Sequence, residues 1–343
     1  MRLVVVDADV LGRERTGDET YVRNLLRELP RPAAEAGLRI AAVTRRLELV
    51  PAGVEAIELR TRSQELRMAW TLSRLLRERE ADLVHTQYAL PLRCPCPAVV
   101  TIHDLSFEHD SALMARRDRF VFRRVVPRAA RGAARVLTVS ERTKRDLGHR
   151  YDLQPDGIVV TPNGVDPAFV PGEGARNRLS QTRYALAVGA IQPRKHQLAA
   201  LAAAREVGLE LVVAGPMKDE RVAAELRSGG ARLEGYVTTE RLAELYRGAE
   251  CLVQPSRHEG FGLPVVEAMA SGTPVVIVPE PALVEVAGEA AVIVPEKELA
   301  AGIRRALDER VRLVAAGLER AQAFSWARTA EETVRVYLEA LGR

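Results

Sequence analysis

Short runs of Val, Ile and Leu alternate with longer amphipathic stretches along the chain, and this alternation restricts the fold to parallel βα units. In the first half the runs are RLVVV, RIAAV, ADLVH, AVVTI, RVLTVS and GIVVT, with helices expected over 20–29 and 68–79. In the second half YALAVG, LELVVAG, ARLEG, AECLVQP, PVVIV and AAVIV repeat the pattern. With 343 residues the chain exceeds a typical single core, so two α/β domains are expected. The boundary falls at 167–182, PAFVPGEGARNRLSQT, which is polar, rich in Pro and Gly, and without periodicity. Domains at 1–166 and 183–325 follow, both doubly wound, with a ligand cleft between them. A final helix at 326–343 sets Ala327, Ala330, Val334, Tyr337 and Leu341 near one face and suits either sheet.

Composition narrows the class. Hydrophobic residues at 47% and charged residues at 28% suit a soluble globular protein, and no apolar run is long enough to span a bilayer. The start MRLVVVDADV is too short and too acidic for a signal peptide, so a cytoplasmic protein is expected. The odd count of three cysteines, with Cys94-Pro95-Cys96 lacking zinc-site spacing, points to reduced thiols and neither a disulfide nor a structural metal. Residues 1–166 carry an excess of five positive charges, the remainder one negative. Much of that excess is the stretch from Arg116 to Arg135, eight arginines interleaved with Phe120, Val121, Phe122, Val125 and Val126. It suits an anionic lipid headgroup or an acceptor phosphate, and equally an Arg-rich solvated helix face. Without an interleaved Gly-aromatic or helix-turn-helix signature, nucleic acid is not an expected partner.

The residues with the most chemistry lie in QPSRHEGFGLPVVEAMASGT, where Glu259 and Glu267 flank a Gly-Phe-Gly turn leading into a short helix. The preceding run CLVQP reads as a buried strand, so Glu259, Gly260 and Gly262 fall beyond a strand's carboxyl end, where open α/β sheets bind ligands. Pro264 suits a first helical turn, and free N–H groups there receive phosphate or hydroxyls. In VGAIQPRKHQ, Arg194 and Lys195 open another helix after Gly189. Cations at a helix amino end oppose the macrodipole, and a bound anion supplies the reason for a pair of them; surface charges pointing to water are the alternative. Paired carboxylates suggest acid and base in glycoside hydrolysis, but a carboxylate at a helix start also accepts two hydroxyls of a diol. Equally, Glu267 can complement its helix dipole and Glu259 can be a loop charge.

In the first half, AVVTIHDLSF places His103-Asp104 at a strand end, suited to a substrate hydroxyl or a proton with Asp104 as orienter, and equally to a satisfied structural pair. The first βα turn offers Gly17, with Thr16 and Glu19 fitting a capping box. Asp7-Ala8-Asp9 has the look of a metal-holding pair but lacks further acidic or histidine partners. No GxxxxGK[ST] occurs, GFGLPV fails the dinucleotide fingerprint at its last glycine, and there is no GxSxG elbow.

Together, RHEGFGLPVVEAMASGTPVV, VGAIQPRKHQ, LVVAG, GYVTTERLAELYRGAECLVQPS, VLTVSERTKRDL and TPNGVD resemble the retaining GT-B glycosyltransferases of family 4 (group 1), and most closely their bacterial mannosyltransferase-like members. The resemblance covers nearly the whole chain and is most specific in the second half. It implies two Rossmann-like domains facing a cleft, the first holding the acceptor and the second a nucleotide-sugar donor, with the last helix crossing back to the first. By similarity Arg194 and Lys195 bind the diphosphate, Glu267 the ribose, and Glu259 the hydroxyls of the transferred sugar. Gly260, Phe261, Gly262 and Leu263 line the same donor turn, the last three with backbone contacts. Tyr236 and Val237 line the base pocket, and His103 touches the sugar near the reacting carbon. Family members often carry a small or apolar residue after the glycine of the first βα turn. Here Gly17-Asp18-Glu19 stands instead, so only Gly17 carries over, and the carboxylates suit acceptor hydroxyls.

The expected function is metal-independent, retaining transfer of a hexose, first mannose from GDP-mannose and next a UDP-glucose-type donor, to a glycan, lipid-linked or small-molecule acceptor. No cofactor is expected, since the nucleotide sugar is a substrate. Localisation is cytoplasmic, with peripheral contact at the inner membrane face through Arg116 to Arg135 as an option. A sugar-nucleotide epimerase and a non-catalytic nucleotide-sugar-binding protein are the competing readings.

Overall fold

The structure, a computed structural model, describes residues 1–13, 16–109, 116–172 and 183–342. The chain divides into two compact units, Met1–Gly164 with Trp326–Arg343, and Val165–Ser325. Of the expected boundary segment, 173–182 lie outside the described residues. The part before them packs onto the second unit, since Phe169 is buried with its ring centroid 5.7 Å from that of Tyr246.

In the first unit the strands are β1 (Arg2–Asp7), β2 (Leu38–Thr44), β3 (Glu55–Glu58), β4 (Leu83–Gln87), β5 (Ala98–Ile102), β6 (Arg135–Thr138) and β7 (Ile158–Val160). They pair in parallel, in the order β3-β2-β1-β4-β5-β6-β7. Helices on both faces require both sides of a strand to be apolar, so β1, β4 and β5 read as continuous runs rather than alternations. Strand β3 was not expected: it is an edge strand of which only Ile57 is buried, which leaves too little apolar signal to read. The order reverses between β1 and β4, placing a topological switch point at their carboxyl ends.

The helix expected over 68–79 begins earlier, at Gln64, and contains a π-helical turn, Arg67–Thr71, before its regular part Leu72–Glu78. Its buried Arg67 donates to Asp7 Oδ1 at 3.1 Å and contacts Asp9 Oδ2 at 2.5 Å. Arg45 and Arg13 also pair with Asp9. Asp7, which closes β1, and Asp9 just beyond it are therefore both paired with arginines. The Trp326–Ala340 helix buries Trp326, Thr329, Ala330, Thr333, Val334, Val336 and Tyr337. Ala327 and Leu341, expected on that face, are half-exposed.

In the second unit β8 (Tyr184–Val188), β9 (Glu210–Ala214), β10 (Arg232–Gly235), β11 (Cys251–Gln254), β12 (Val275–Ile277) and β13 (Val292–Ile293) pair in parallel as β10-β9-β8-β11-β12-β13. One core joins Ala185, Leu211, Val213, Val253 and Val276 of the sheet to Leu201, Leu226 and Ile303 of its helices. Here the switch point lies between β8 and β11.

Candidate functional site

At the carboxyl end of β8 the backbone turns through Gly189 (φ 133°) against Gly215 (φ 150°), which follows β9. A Cβ on Gly215 would lie 2.1 Å from the Gly189 carbonyl oxygen, so the two loops meet this closely only with glycine at 215. Arg194 and Lys195 do not open the helix as expected. They form a separate 3₁₀ turn, Pro193–Lys195, and His196, left-handed at φ 50°, divides it from the Gln197–Glu206 helix. Proline starts the turn and the left-handed residue ends it, which removes the cations from the helix dipole and aims them elsewhere.

They meet the loop after β11. Lys195 is buried, with its Nζ donating to Glu259 Oε1 at 2.5 Å. Arg194 Nη1 donates to the His258 carbonyl at 2.7 Å and lies 3.7 Å from Glu259 Oε2. Gln254, the last residue of β11, donates from Nε2 to Glu259 Oε1 at 3.0 Å. Burial pushes the Glu259 carboxyl up, but the Lys195 and Arg194 charges outweigh it and hold the group down at about 2. Glu259 is therefore an ionised carboxylate between two cations.

Glu267 is its opposite. It lies one turn inside the Leu263–Ala270 helix, which Gly262 (φ 104°) enters from a left-handed backbone. It is buried, and Tyr246 Oη donates to its Oε2 at 2.8 Å. Burial pushes its carboxyl up to about 7, partly countered by the Tyr246 bond and reinforced by the charge of Asp166. The Phe261 ring is buried, 5.6 Å from the Phe324 ring, which pins the turn between the two glutamates. Gly260 completes that turn, and Leu263 begins the helix. Tyr236 and Val237 follow the edge strand β10, one strand beyond β9, with Tyr236 exposed.

In the first unit His103 follows β5, buried, its ring centroid 4.7 Å from that of Tyr21 and 5.7 Å from that of Tyr88. Burial lowers its pKa against the raising charges of Asp18 and Asp104. Asp104 is not the orienter expected: its Oδ1 accepts from the Ser106 N–H at 2.9 Å, starting the next helix. Gly17 lies in the first turn of the Thr16–Glu28 helix, exposed. Glu19 is buried and its Oε1 accepts from the Gly12 N–H at 2.9 Å and from Arg23 at 2.7 Å.

A directed hydrogen-bond chain supports His103 from behind. Thr333 Oγ1 donates to the Thr329 carbonyl at 2.7 Å, and with its one proton used there it accepts from Tyr21 O–H. Tyr21 Oη then accepts from Thr101 O–H at 3.1 Å, and Thr101 Oγ1 accepts from His85 Nε2 at 2.7 Å. His85 Nδ1 is left to accept from Tyr337 O–H at 2.6 Å. The chain fixes the His85 tautomer, and burial, with the neighbouring His103, brings its pKa down to about 3.

Sequence reasoning found Arg194, Lys195, Glu259 and Glu267, and the structure brings the first three into one cluster. It missed Gln254, Tyr246, Tyr21 and His85. A polar residue closing an apolar strand was a readable signal for Gln254. Nothing local marks the others.

Comparison with known proteins bears on the chemistry. Residues 15–169 match the model described as Glycosyltransferase Family 4, and residues 175–327 match Glycosyl transferases group 1. The MMP alpha-(1->4)-mannosyltransferase of Mycolicibacterium hassiacum is 36% identical over 274 residues, covering 72% of this chain and 66% of that protein. The O-antigen chain mannosyltransferase B of Escherichia coli is 30% identical, covering 79% of this chain and 77% of its own length. Sucrose-phosphate synthase from Thermosynechococcus elongatus superimposes with a TM-score of 0.82 at 20% identity over the full length of both chains, which speaks for the fold.

Proposed function

The chain belongs to the group 1, family 4 glycosyltransferases, with the GT-B fold, and from that membership we propose that it transfers mannose from GDP-mannose with retention of anomeric configuration. The observation that carries this reading is the Arg194-Lys195-Glu259 cluster at the β8/β11 switch point, with Glu267 on the adjoining helix. The named mannosyltransferase relatives favour the sugar.

In this reading Arg194 and Lys195 take the diphosphate, Glu259 the hexose hydroxyls and Glu267 the ribose diol. The bond from the anomeric carbon to the diphosphate oxygen breaks as the acceptor oxygen bonds to that carbon from the same face. The acceptor proton passes to the departing diphosphate. No protein nucleophile is needed, and the main task is stabilising charge on the leaving group. Arg194 and Lys195 supply that charge. His103 meets the sugar near the reacting carbon, Gly17 allows close approach at the first βα turn, and Tyr236 and Val237 line the base.

The acceptor is a glycan, lipid-linked or small hydroxyl compound. No helix among the described residues is long and apolar enough to cross a membrane. The Arg116–Gly132 helix buries Val126, Ala129 and Ala130, and exposes Phe120 (56%) and Val121 (42%) beside Arg123, Arg124 and Arg128. That combination suits peripheral contact with an anionic bilayer. Flotation with phosphatidylglycerol vesicles should be lost as salt rises, and no flotation at low salt refutes the contact.

Two measurements test the main reading. Thermal shifts with GDP, UDP and ADP and their sugar conjugates should be largest for GDP-mannose. GDP release should then depend on acceptor. A preference for UDP-glucose rejects the donor, and an isomerised donor without release rejects transfer.

A further inference from the structure

Two buried nitrogen atoms at neighbouring strand ends of the first unit lack a hydrogen-bond partner among the described residues. They are His103 Nε2, just beyond β5, and Gln87 Nε2, on the last residue of β4. A buried polar group left unpaired costs roughly 1–3 kcal/mol, so such atoms are uncommon and call for an explanation. Other unpaired polar atoms occur in this unit: Ser73 Oγ and Asn24 Oδ1 lie within helices, and Thr86 Oγ1, Thr161 Oγ1 and Asn163 Oδ1 lie on or after strands, so what sets Gln87 and His103 apart is their place together at adjoining strand ends. Gln87 closes β4, one of the two strands beside the place where strand order reverses, the position at which open parallel sheets receive ligands, and His103 follows β5, the next strand over.

The register puts the two side chains on one side of the sheet. Gln87 is paired with Thr101 in the parallel β4/β5 ladder, so the two share a face, and His103 follows Thr101 by two residues. Tyr21 confirms the assignment, because it bonds Thr101 through its hydroxyl and packs its ring on His103. Between them Tyr88 holds φ at 58°, a left-handed conformation costly for an aromatic residue. Strain of this kind persists where the surroundings enforce it, and it clusters at ligand sites.

The chemistry selects the ligand class. An amide N–H asks for an oxygen acceptor. A neutral imidazole offers one donor and one acceptor, the complement of a hydroxyl. Asp18, whose charge reaches His103, opposes an anion at the same spot. We propose that Gln87 is a further substrate-contacting residue, donating through Nε2 to a sugar hydroxyl that His103 also meets. This rests on the reading of His103 given above. The hydroxyl belongs either to the transferred hexose or to a sugar acceptor.

Gln87→Met keeps length and volume and removes the amide. With no partner for that amide among the described residues, the melting temperature should hold or rise, while kcat/KM falls about 10- to 100-fold. With GDP-mannose and methyl α-D-mannopyranoside as probes, a KM rise confined to the first assigns the hydroxyl to the donor, and one confined to the second assigns it to the acceptor. Gln87→His, which retains an N–H donor, should recover part of the rate. The proposal is overturned if Gln87→Met keeps kcat/KM within twofold, or if its ligand-free melting temperature drops by several degrees, which would show that the amide serves the fold. His103→Ala is assayed alongside. Full activity there rejects the His103 reading alone, whereas a loss there with a fully active Gln87→Met rejects Gln87 alone. Should neither probe turn over, the donor reading fails and the ligand-free melting temperature still decides whether Gln87 is structural.

Discussion

Donor binding should be linked to a proton through Glu267. Its carboxyl is buried, with Tyr246 donating to it at 2.8 Å and a pKa of about 7, against 4.5 for an ordinary glutamate. A ribose diol donates two hydroxyls and needs the ionised form, so the ligand competes with the proton. Below the folded pKa, affinity for GDP-mannose should fall about tenfold per pH unit, or ~1.4 kcal/mol, and level off above about pH 8. GDP-mannose is the right probe because its diphosphate is a diester without a terminal phosphate titrating in this range. Calorimetry in buffers of different ionisation enthalpy should show about one proton released near pH 6 and little at pH 8.5.

The same shift has a stability consequence, and its sign follows from which state holds the proton longer. The folded protein does, so the stabilisation is fully present below about pH 4.5 and is lost as pH rises through about 7, amounting to about 3 kcal/mol. Glu267→Gln should be more stable than the parent at pH 8 and bind GDP-mannose weakly at every pH. Tyr246→Phe removes the bond that lowers the Glu267 pKa, so the binding midpoint should move to higher pH. Affinity independent of pH between 5.5 and 8, or the same slope in Glu267→Gln, refutes the reasoning.

Lys195→Met removes a leaving-group charge and strands Glu259 in a buried site. Turnover should fall roughly 100- to 1000-fold and stability by about 3–5 kcal/mol, read by steady-state kinetics and urea unfolding; parental values in both reject the cluster. Gly215→Ala sets a Cβ 2.1 Å from the Gly189 carbonyl, at a backbone angle unsuited to side chains. A loss of several kcal/mol in urea unfolding is expected, and a loss under 1 kcal/mol would show that the two loops part easily.

How legible each feature was depended on whether its signal is local. AVVTI is β5 residue for residue because a strand covered on both faces is apolar throughout, whereas β3 at the sheet edge buries only Ile57 and leaves no run to detect. Glu259, Gly262 and Glu267 were readable because one loop and one helix carry them. The displacement of Arg194 and Lys195 into their own turn was not, since it hinges on a left-handed His196 that no composition rule specifies. Tyr246 and Gln87 are single residues in unremarkable surroundings. They acquire a role only when helix packing delivers the first to Glu267 and strand register sets the second beside Thr101.

The two glutamates of one loop end in opposite states, and the ionised one sets how tightly product is held. Arg194, Lys195 and Glu259 carry a net charge of +1, so a diphosphate meets one uncancelled positive charge rather than two. At an effective dielectric constant near 20, a carboxylate about 7 Å from the phosphates costs them about 2 kcal/mol, and less where water screens it. Lys195 has three N–H donors and can hold Glu259 and a phosphate oxygen together, so the carboxylate moderates the anion site without abolishing it. Glu259→Gln should therefore tighten GDP binding about fivefold to tenfold and slow turnover, because product leaves reluctantly and the hexose hydroxyls lose their acceptor. Unchanged or weaker GDP affinity in that variant, measured by calorimetry at fixed salt, would mean that Glu259 stands too far from the diphosphate to act on it.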